Sequence, residues 1–194
     1  MRITGGKAAR RLLRVPKGFD VRPTPDLVKQ ALFNSLGARV IGSQVLELFA
    51  GTGALSLECL SRGAVSAVCV EISQRHANVL RQNLESAGFA PEMVQVRVQD
   101  VFAVLGQLAT CQFDLILADP PYGEKNVGKR SESFGQRLLD DARLPALLKP
   151  DGLFVLGHSK RDTLEIPPPW IETRFLKHGD SCLRFLRVGA VNLT

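Results

Sequence analysis

Glu47-Leu48-Phe49-Ala50-Gly51-Thr52-Gly53-Ala54 carries a strand-like run into a helical one through a turn with two glycines. Glycine supplies positive φ and lets a backbone come close to a ligand, so the stretch reads as a ligand-binding strand-turn-helix. Phosphate cradling is one use of such a turn, and two features oppose it here. Ser56 stands where a G-x-G-x-x-G fingerprint has its third glycine. The acid Glu47, near the end of the strand, would repel a pyrophosphate. A carboxylate at that point suits a cationic ligand instead.

Outward from this turn, strands are predicted at about 44–49, 67–70, 94–98, 113–118 and 152–157, with helices near 54–62, 74–87, 101–108 and 134–148. Upstream, Thr24 reads as a helix N-cap, Pro25 as the first helical residue and Asp26 as an acid against the positive end of the helix dipole. Val28, Ala31, Leu32 and Leu36 then form an apolar stripe that Gly37 stops. Alternating strand and helix predict a parallel sheet wound on both faces. Pro167-Pro168-Pro169 bars a helix, and 170–177 and 183–188 read as two strands joined by His178-Gly179-Asp180-Ser181. The predicted fold class is α/β: a doubly wound, mostly parallel sheet with a C-terminal antiparallel hairpin. That hairpin separates class I S-adenosylmethionine-dependent methyltransferases from Rossmann-like dehydrogenases, an analogy of folds.

Ligands of open α/β sheets bind at the carboxyl ends of the strands. Glu47 sits there and can orient the cationic end of S-adenosylmethionine, directly or through water. Glu71 ends the second predicted strand, and its two oxygens suit the two hydroxyls of a ribose. Asp100 closes the third and can accept from an adenine amino group. With Phe49, Gly51, Gly53 and Asp119 these acids make the predicted cofactor set.

The run Phe113-Asp114-Leu115-Ile116-Leu117-Ala118 stops at Asp119-Pro120-Pro121-Tyr122. Two prolines fix φ and remove two N–H donors, leaving carbonyls that face outward without donors beside them. With a carboxylate on one side and a ring on the other, the site can accept both hydrogens of an –NH₂ group while it holds a flat base. Bonds from the amine to the Asp119 side chain and the Pro120 carbonyl would favour a tetrahedral nitrogen whose lone pair points at the methyl sulfonium. Tyr122 would stack on the base after its extrusion from a helix or loop. Asp119, Pro120 and Tyr122 are therefore the predicted catalytic residues.

At 194 residues and 45% hydrophobic content, the chain is sized for one domain that buries about 70% of its unfolded surface. The expected division is a basic arm over 1–22 and a single domain over 23–194. No apolar run approaches the roughly 18 residues of a membrane span, and the basic start leads to no secretory h-region, so a cytoplasmic protein is expected. Four scattered cysteines and three separated histidines point to core thiols, with neither disulfides nor a metal site expected.

Charge is concentrated. Residues 1–22 hold Arg2, Lys7, Arg10, Arg11, Arg14, Lys17 and Arg22 against Asp20, which accounts for the whole formal charge of +6. Such a segment attracts a polyanion by releasing counterions, and beside an amine-methylating site the polyanion is nucleic acid. Residues 123–133, rich in Gly, Ser and charge, read as a loop in which Lys125, Lys129 and Arg130 add to the predicted RNA contacts. Competing readings are a DNA adenine or cytosine methyltransferase, a protein glutamine methyltransferase, a nicotinamide-dependent oxidoreductase and a noncatalytic RNA-binding assembly factor. The oxidoreductase explains Gly51, Gly53 and Glu71 but gives no purpose to Glu47 or to Asp119 through Tyr122.

Nearly end to end, the chain resembles the RsmD-type bacterial 16S rRNA guanine-N2 methyltransferases. The resemblance is carried by Arg22-Pro23-Thr24, Ala31-Leu32-Phe33-Asn34, Leu48-Phe49-Ala50-Gly51-Thr52-Gly53-Ala54-Leu55, Leu57-Glu58, Ser61-Arg62-Gly63-Ala64, Val70-Glu71 and Asp119-Pro120-Pro121-Tyr122. Since D-P-P-Y is shared by many amino-group methyltransferases, its combination with Arg-Pro-Thr is the specific part. It implies methylation of one guanine N2, at guanine 966, within an assembling 30S particle whose ribosomal proteins are further partners. It also implies that Arg22 and Thr24 lie near the active site.

Overall fold

The computed structural model describes residues 1–15, 25–108, 113–122 and 129–189. Thr24, Arg22, Cys111 and Lys125 lie outside them. Helix α1 (Asp26–Leu36) buries Val28, Leu32, Phe33 and Leu36 and ends at Gly37, whose φ of 52° no β-carbon hinders. Pro25 takes the cap position rather than the first helical turn, with φ −56° and ψ 146°. The predicted helix start thus shifts by one residue.

Beyond α1 the chain runs β1 (Gln44–Leu48), α2 (Ala54–Ser61), β2 (Ser66–Glu71), α3 (Gln74–Ala87), β3 (Val94–Val98), α4 (Val101–Gln107), β4 (Phe113–Ala118), α5 (Phe134–Asp140), β5 (Leu148–Ser159), β6 (Trp170–His178) and β7 (Ser181–Val188). The strands form one sheet in the order β3-β2-β1-β4-β5-β7-β6. Every pairing from β3 to β5 is parallel, and β7 joins β5 and β6 antiparallel. Strand order reverses between β1 and β4, which are neighbours, so the crevice of this fold opens there.

Two apolar layers sandwich the sheet. One gathers Leu32 and Phe33 of α1, Leu57 and Leu60 of α2 and Leu80 and Leu84 of α3 against Val45, Leu115 and Val155. The other sets Val104 and Leu105 of α4 and Leu138 and Leu139 of α5 against Leu46, Leu48, Ile116 and Phe154. Among the described residues, no helix is long and apolar enough to cross a membrane.

Residues 1–15 of the basic start pack on this body. Ile3, Ala8 and Leu13 are buried in the first layer, and Arg2 bridges Leu12 in an antiparallel hairpin. Thr4 gives its backbone N–H and its hydroxyl to the two oxygens of the buried Glu58, at 2.7 and 2.8 Å. The buried Lys29 ammonium donates to the Arg2 carbonyl and pairs with Asp26. Ile3, Ala8 and Leu13 turn inward while Lys7, Arg10, Arg11 and Arg14 stay exposed, so the segment is charged outside and apolar beneath, and reading charge alone misses the second property.

Helix α5 is also shorter than predicted. It ends at Asp141, whose carboxylate takes the Arg143 side chain at 2.6 Å, and Pro145 opens a separate 3₁₀ turn over Pro145–Leu147. Strand β1 stops at Leu48 because Phe49 adopts φ 58°, a left-handed conformation that cannot continue a ladder.

Candidate active site

The turn after β1 is built around its glycines. Gly51 and Gly53 have φ of 54° and 75°, and a β-carbon on Gly53 would fall 2.7 Å from Leu80 Cγ. Gly53 has no side chain to cap α2, and the predicted acid does so from the strand. Glu47 accepts the N–H of Ser56 at 2.9 Å and of Leu55 at 3.3 Å. It is only 3% exposed. Burial pushes its carboxyl up to about 7, against the lowering effect of the Ser56 and Leu55 hydrogen bonds, and the negative charge of Asp119 adds to the rise. Glu47 thus holds the start of α2 and the turn that precedes it.

Glu71 closes the other side of the turn. Oε2 accepts the Gly51 N–H at 2.7 Å, while Oε1 accepts that of Ser73 at 2.8 Å and lies 3.5 Å from His76 Nδ1. Oε2, with Gly51 as its one partner among the described residues, keeps a second lone-pair direction for a hydroxyl. Asp100 is exposed and caps α4, its Oδ1 accepting from Ala103 N at 3.1 Å. Between these two acids in the chain, and 68% exposed, stands Ile72. An isolated large apolar side chain on a polar rim offers a flat ring a surface, and the sequence reading passed over it. Its signal was its place directly after the acid that ends a strand.

Asp119, Pro120 and Tyr122 follow β4 directly beside this turn, since β4 pairs β1 with Leu48 opposite Ala118. Pro120 is buried, Asp119 and Tyr122 are half-buried and Pro121 is exposed. The Tyr122 hydroxyl donates to Ser181 Oγ at 3.0 Å. Phe49 packs its ring on Phe134 and Phe102 with centroids 5.4 and 6.4 Å apart, and the Arg137 guanidinium lies 3.9 Å over Phe102. The structure thus gathers Glu47, Phe49, Gly51, Gly53, Glu71, Asp100, Asp119, Pro120 and Tyr122 along one edge of the sheet.

Predicted RNA contacts divide into groups. Lys7, Arg10, Arg11 and Arg14 are exposed on the N-terminal hairpin. Lys7 lies 5.1 Å over the Phe89 ring, and Arg11 and Arg14 reach Ser86 O and Gln82 Oε1 on α3. The hairpin is tied to the glycine turn through Asn83, a fully buried amide. Its Oδ1 accepts from Arg14 N at 2.7 Å, and its Nδ2 donates to Arg14 O and to Thr52 O, both at 3.1 Å. Arg130 is exposed and already has partners within the protein. Its guanidinium is clasped by both oxygens of Asp140, at 2.7 and 2.8 Å, and by Glu165 at 2.9 Å, which ties the segment after the loop to α5. Lys129 is exposed. Arg22, Thr24 and Lys125 fall outside the described residues.

Comparison with known proteins agrees with this geometry. A family model described as conserved hypothetical protein 95 matches residues 1–187. Ribosomal RNA small subunit methyltransferase D of Haemophilus influenzae is 33% identical over 171 residues, covering 88% of this chain and 84% of that one. A solved hypothetical protein of Thermus thermophilus superposes with a TM-score of 0.78 at 29% identity, covering 97% and 99% of the two chains. An RNA methyltransferase of Salinibacter ruber, solved with S-adenosyl-L-homocysteine, shares the fold at a TM-score of 0.65 and 18% identity, over 87% and 95% of the chains.

Proposed function

We propose, from a chain that belongs to the RsmD family of Rossmann-like, S-adenosylmethionine-dependent methyltransferases, that its methyl acceptor is the exocyclic N2 of a guanine in 16S rRNA, at guanine 966 of an assembling 30S particle. The observation that carries this reading is the placement of Asp119-Pro120-Pro121-Tyr122 at the end of β4, adjoining the glycine turn of β1 at the reversal of strand order.

The residues at the edge fit the expected cofactor. Glu71 Oε2 has a lone pair left for a ribose hydroxyl, Ile72 offers an apolar face to adenine, Asp100 can accept from its amino group, and Gly51 and Gly53 let the backbone approach. Bound there, S-adenosylmethionine supplies an electrophilic methyl on a sulfonium.

The chain's own part is to prepare the nucleophile. A guanine N2 has its lone pair delocalised into the ring, and hydrogen bonds from its two hydrogens to Asp119 and to the Pro120 carbonyl free that pair for in-line attack. The N–C bond forms as the sulfonium C–S bond breaks to leave S-adenosylhomocysteine, and the surplus amine proton leaves to the Asp119 carboxylate or to water. Tyr122, steadied at its hydroxyl by Ser181, supplies a stacking face. Basic side chains of the N-terminal hairpin, Arg10 above all, hold the phosphate backbone and set no sequence preference.

Methyl transfer from labelled S-adenosylmethionine to 30S particles, duplex DNA and release factor tests the assignment. Label confined to RNA and recovered as N2-methylguanine is expected. Label found only on DNA or protein would refute it.

A further inference from the structure

Strand register brings Gly157 of β5 alongside Asp119. Ala118 pairs with Leu156, so the next residue of each strand falls on the same face of the sheet, the one that carries Glu47. A β-carbon on Gly157 would lie 2.6 Å from Asp119 Oδ1 and 3.1 Å from its Cγ, whereas the carbonyl of Ala118 is 3.5 Å away. The intrusion therefore meets the end of a side chain that can rotate away, not a fixed backbone. A methyl group at 157 would leave the sheet intact and turn the carboxylate.

The other end of the motif is held from β7, on the far side of β5. Ser181 opens β7, is 6% exposed and pairs with Ser159 of β5. Its Oγ takes the Tyr122 hydroxyl at 3.0 Å, which anchors the far end of that side chain and so the direction of its long axis.

We infer that Gly157 and Ser181 are positioning residues of the methyl-transfer site, Gly157 setting the direction of the Asp119 carboxylate and Ser181 that of the Tyr122 ring. This rests on the reading of Asp119 and Tyr122 as the groups that grip the acceptor base. It gives the C-terminal antiparallel strand a part in the chemistry, since β7 carries Ser181 and pairs Gly157 through Leu183. Neither residue bears a group that would mark it in the sequence as part of an active site.

The test uses the full chain. Wild-type protein is first assayed on 30S particles, DNA and protein substrates. A wild type that labels only DNA or protein overturns the RNA reading alone, and the variants are then compared on the amine it does methylate. Gly157→Ala is expected to lower kcat about 100-fold, with KM for the acceptor and the affinity for S-adenosylhomocysteine within about twofold of wild type and an unchanged melting temperature. Tyr122→Phe and Ser181→Ala should each lower kcat/KM by about fivefold to tenfold. The double variant should be no worse than either alone, and Ser181→Thr should restore activity by keeping the hydroxyl. Wild-type kcat in Gly157→Ala overturns the first half. Losses that multiply in the Tyr122→Phe/Ser181→Ala double variant overturn the second, and that cycle stands whether or not Gly157→Ala folds.

Discussion

Glu71 Oε2 accepts the backbone N–H of Gly51 at 2.7 Å, joining the end of β2 to the turn that follows β1. With its other oxygen on Ser73 N at 2.8 Å, one carboxylate sets the glycine turn and the start of α3 together. Replacing Glu71 by Ala should therefore weaken cofactor binding by more than the loss of one ribose contact, about 10-fold to 100-fold in calorimetry with S-adenosylhomocysteine. Glu71→Gln, which keeps one acceptor, should fall between. Wild-type affinity in Glu71→Ala would show that the cofactor lies elsewhere.

Asp119 is argued to act on the acceptor amine and not on the fold. Asp119→Ala should keep its melting temperature and its affinity for S-adenosylhomocysteine nearly intact and lose turnover. Asp119→Asn, which offers one acceptor but sets an amide –NH₂ against the substrate amine, should lose about 100-fold or more. Near-normal turnover in either variant, measured with labelled methyl donor, would contradict the mechanism.

The buried Glu47 makes a prediction about pH. Its folded-state value of about 7 lies above the ordinary 4.5, so between these values the native state binds more protons than the unfolded chain. The sign follows from linkage: stability is full below the unfolded value, falls as pH rises toward about 7 and levels off above it. The span corresponds to an effect on the order of 3 kcal/mol at most. Urea unfolding between pH 5 and pH 8 should show this decline in wild type and a flatter profile in Glu47→Gln. Identical slopes would assign the pH dependence to other groups.

Much of this was legible in the chain. Alternating runs and glycine punctuation placed β3, β4 and α3 within their observed bounds, and the proline pair after Asp119 marked where β4 stops. Three features were hidden, each for a physical reason. Glu47 reads as a ligand-facing acid, but whether a strand-end carboxylate faces a ligand or the next helix depends on Gly53 leaving the α2 terminus uncapped, a relation between elements. Arg130 reads as one more basic residue, and only the fold brings Asp140 and Glu165 around it. Gly157 is an ordinary strand glycine until register puts Asp119 beside it.

The N-terminal hairpin changes how its proposed RNA contacts must be tested. Because Ile3 and Leu13 belong to the core, deleting the segment would damage the fold, and substitutions that spare the apolar side are needed. Arg10→Gln and Arg14→Gln should lower the slope of log affinity against log salt by about 0.7 to 0.9 for each phosphate that is no longer neutralised, with cofactor affinity unchanged. An unaltered slope in filter binding to 16S rRNA would show that the hairpin does not touch the nucleic acid.

The claim beneath all of these is that the edge shared by β1 and β4 methylates a guanine amine in small-subunit rRNA. Mass spectrometry of 16S rRNA from cells lacking this chain, compared with cells carrying it or its Asp119→Ala variant, tests that claim most directly. The account predicts one N2-methylguanine missing in the deletion, restored by the wild-type chain and not by Asp119→Ala. An unchanged set of modified nucleotides in all three would contradict it.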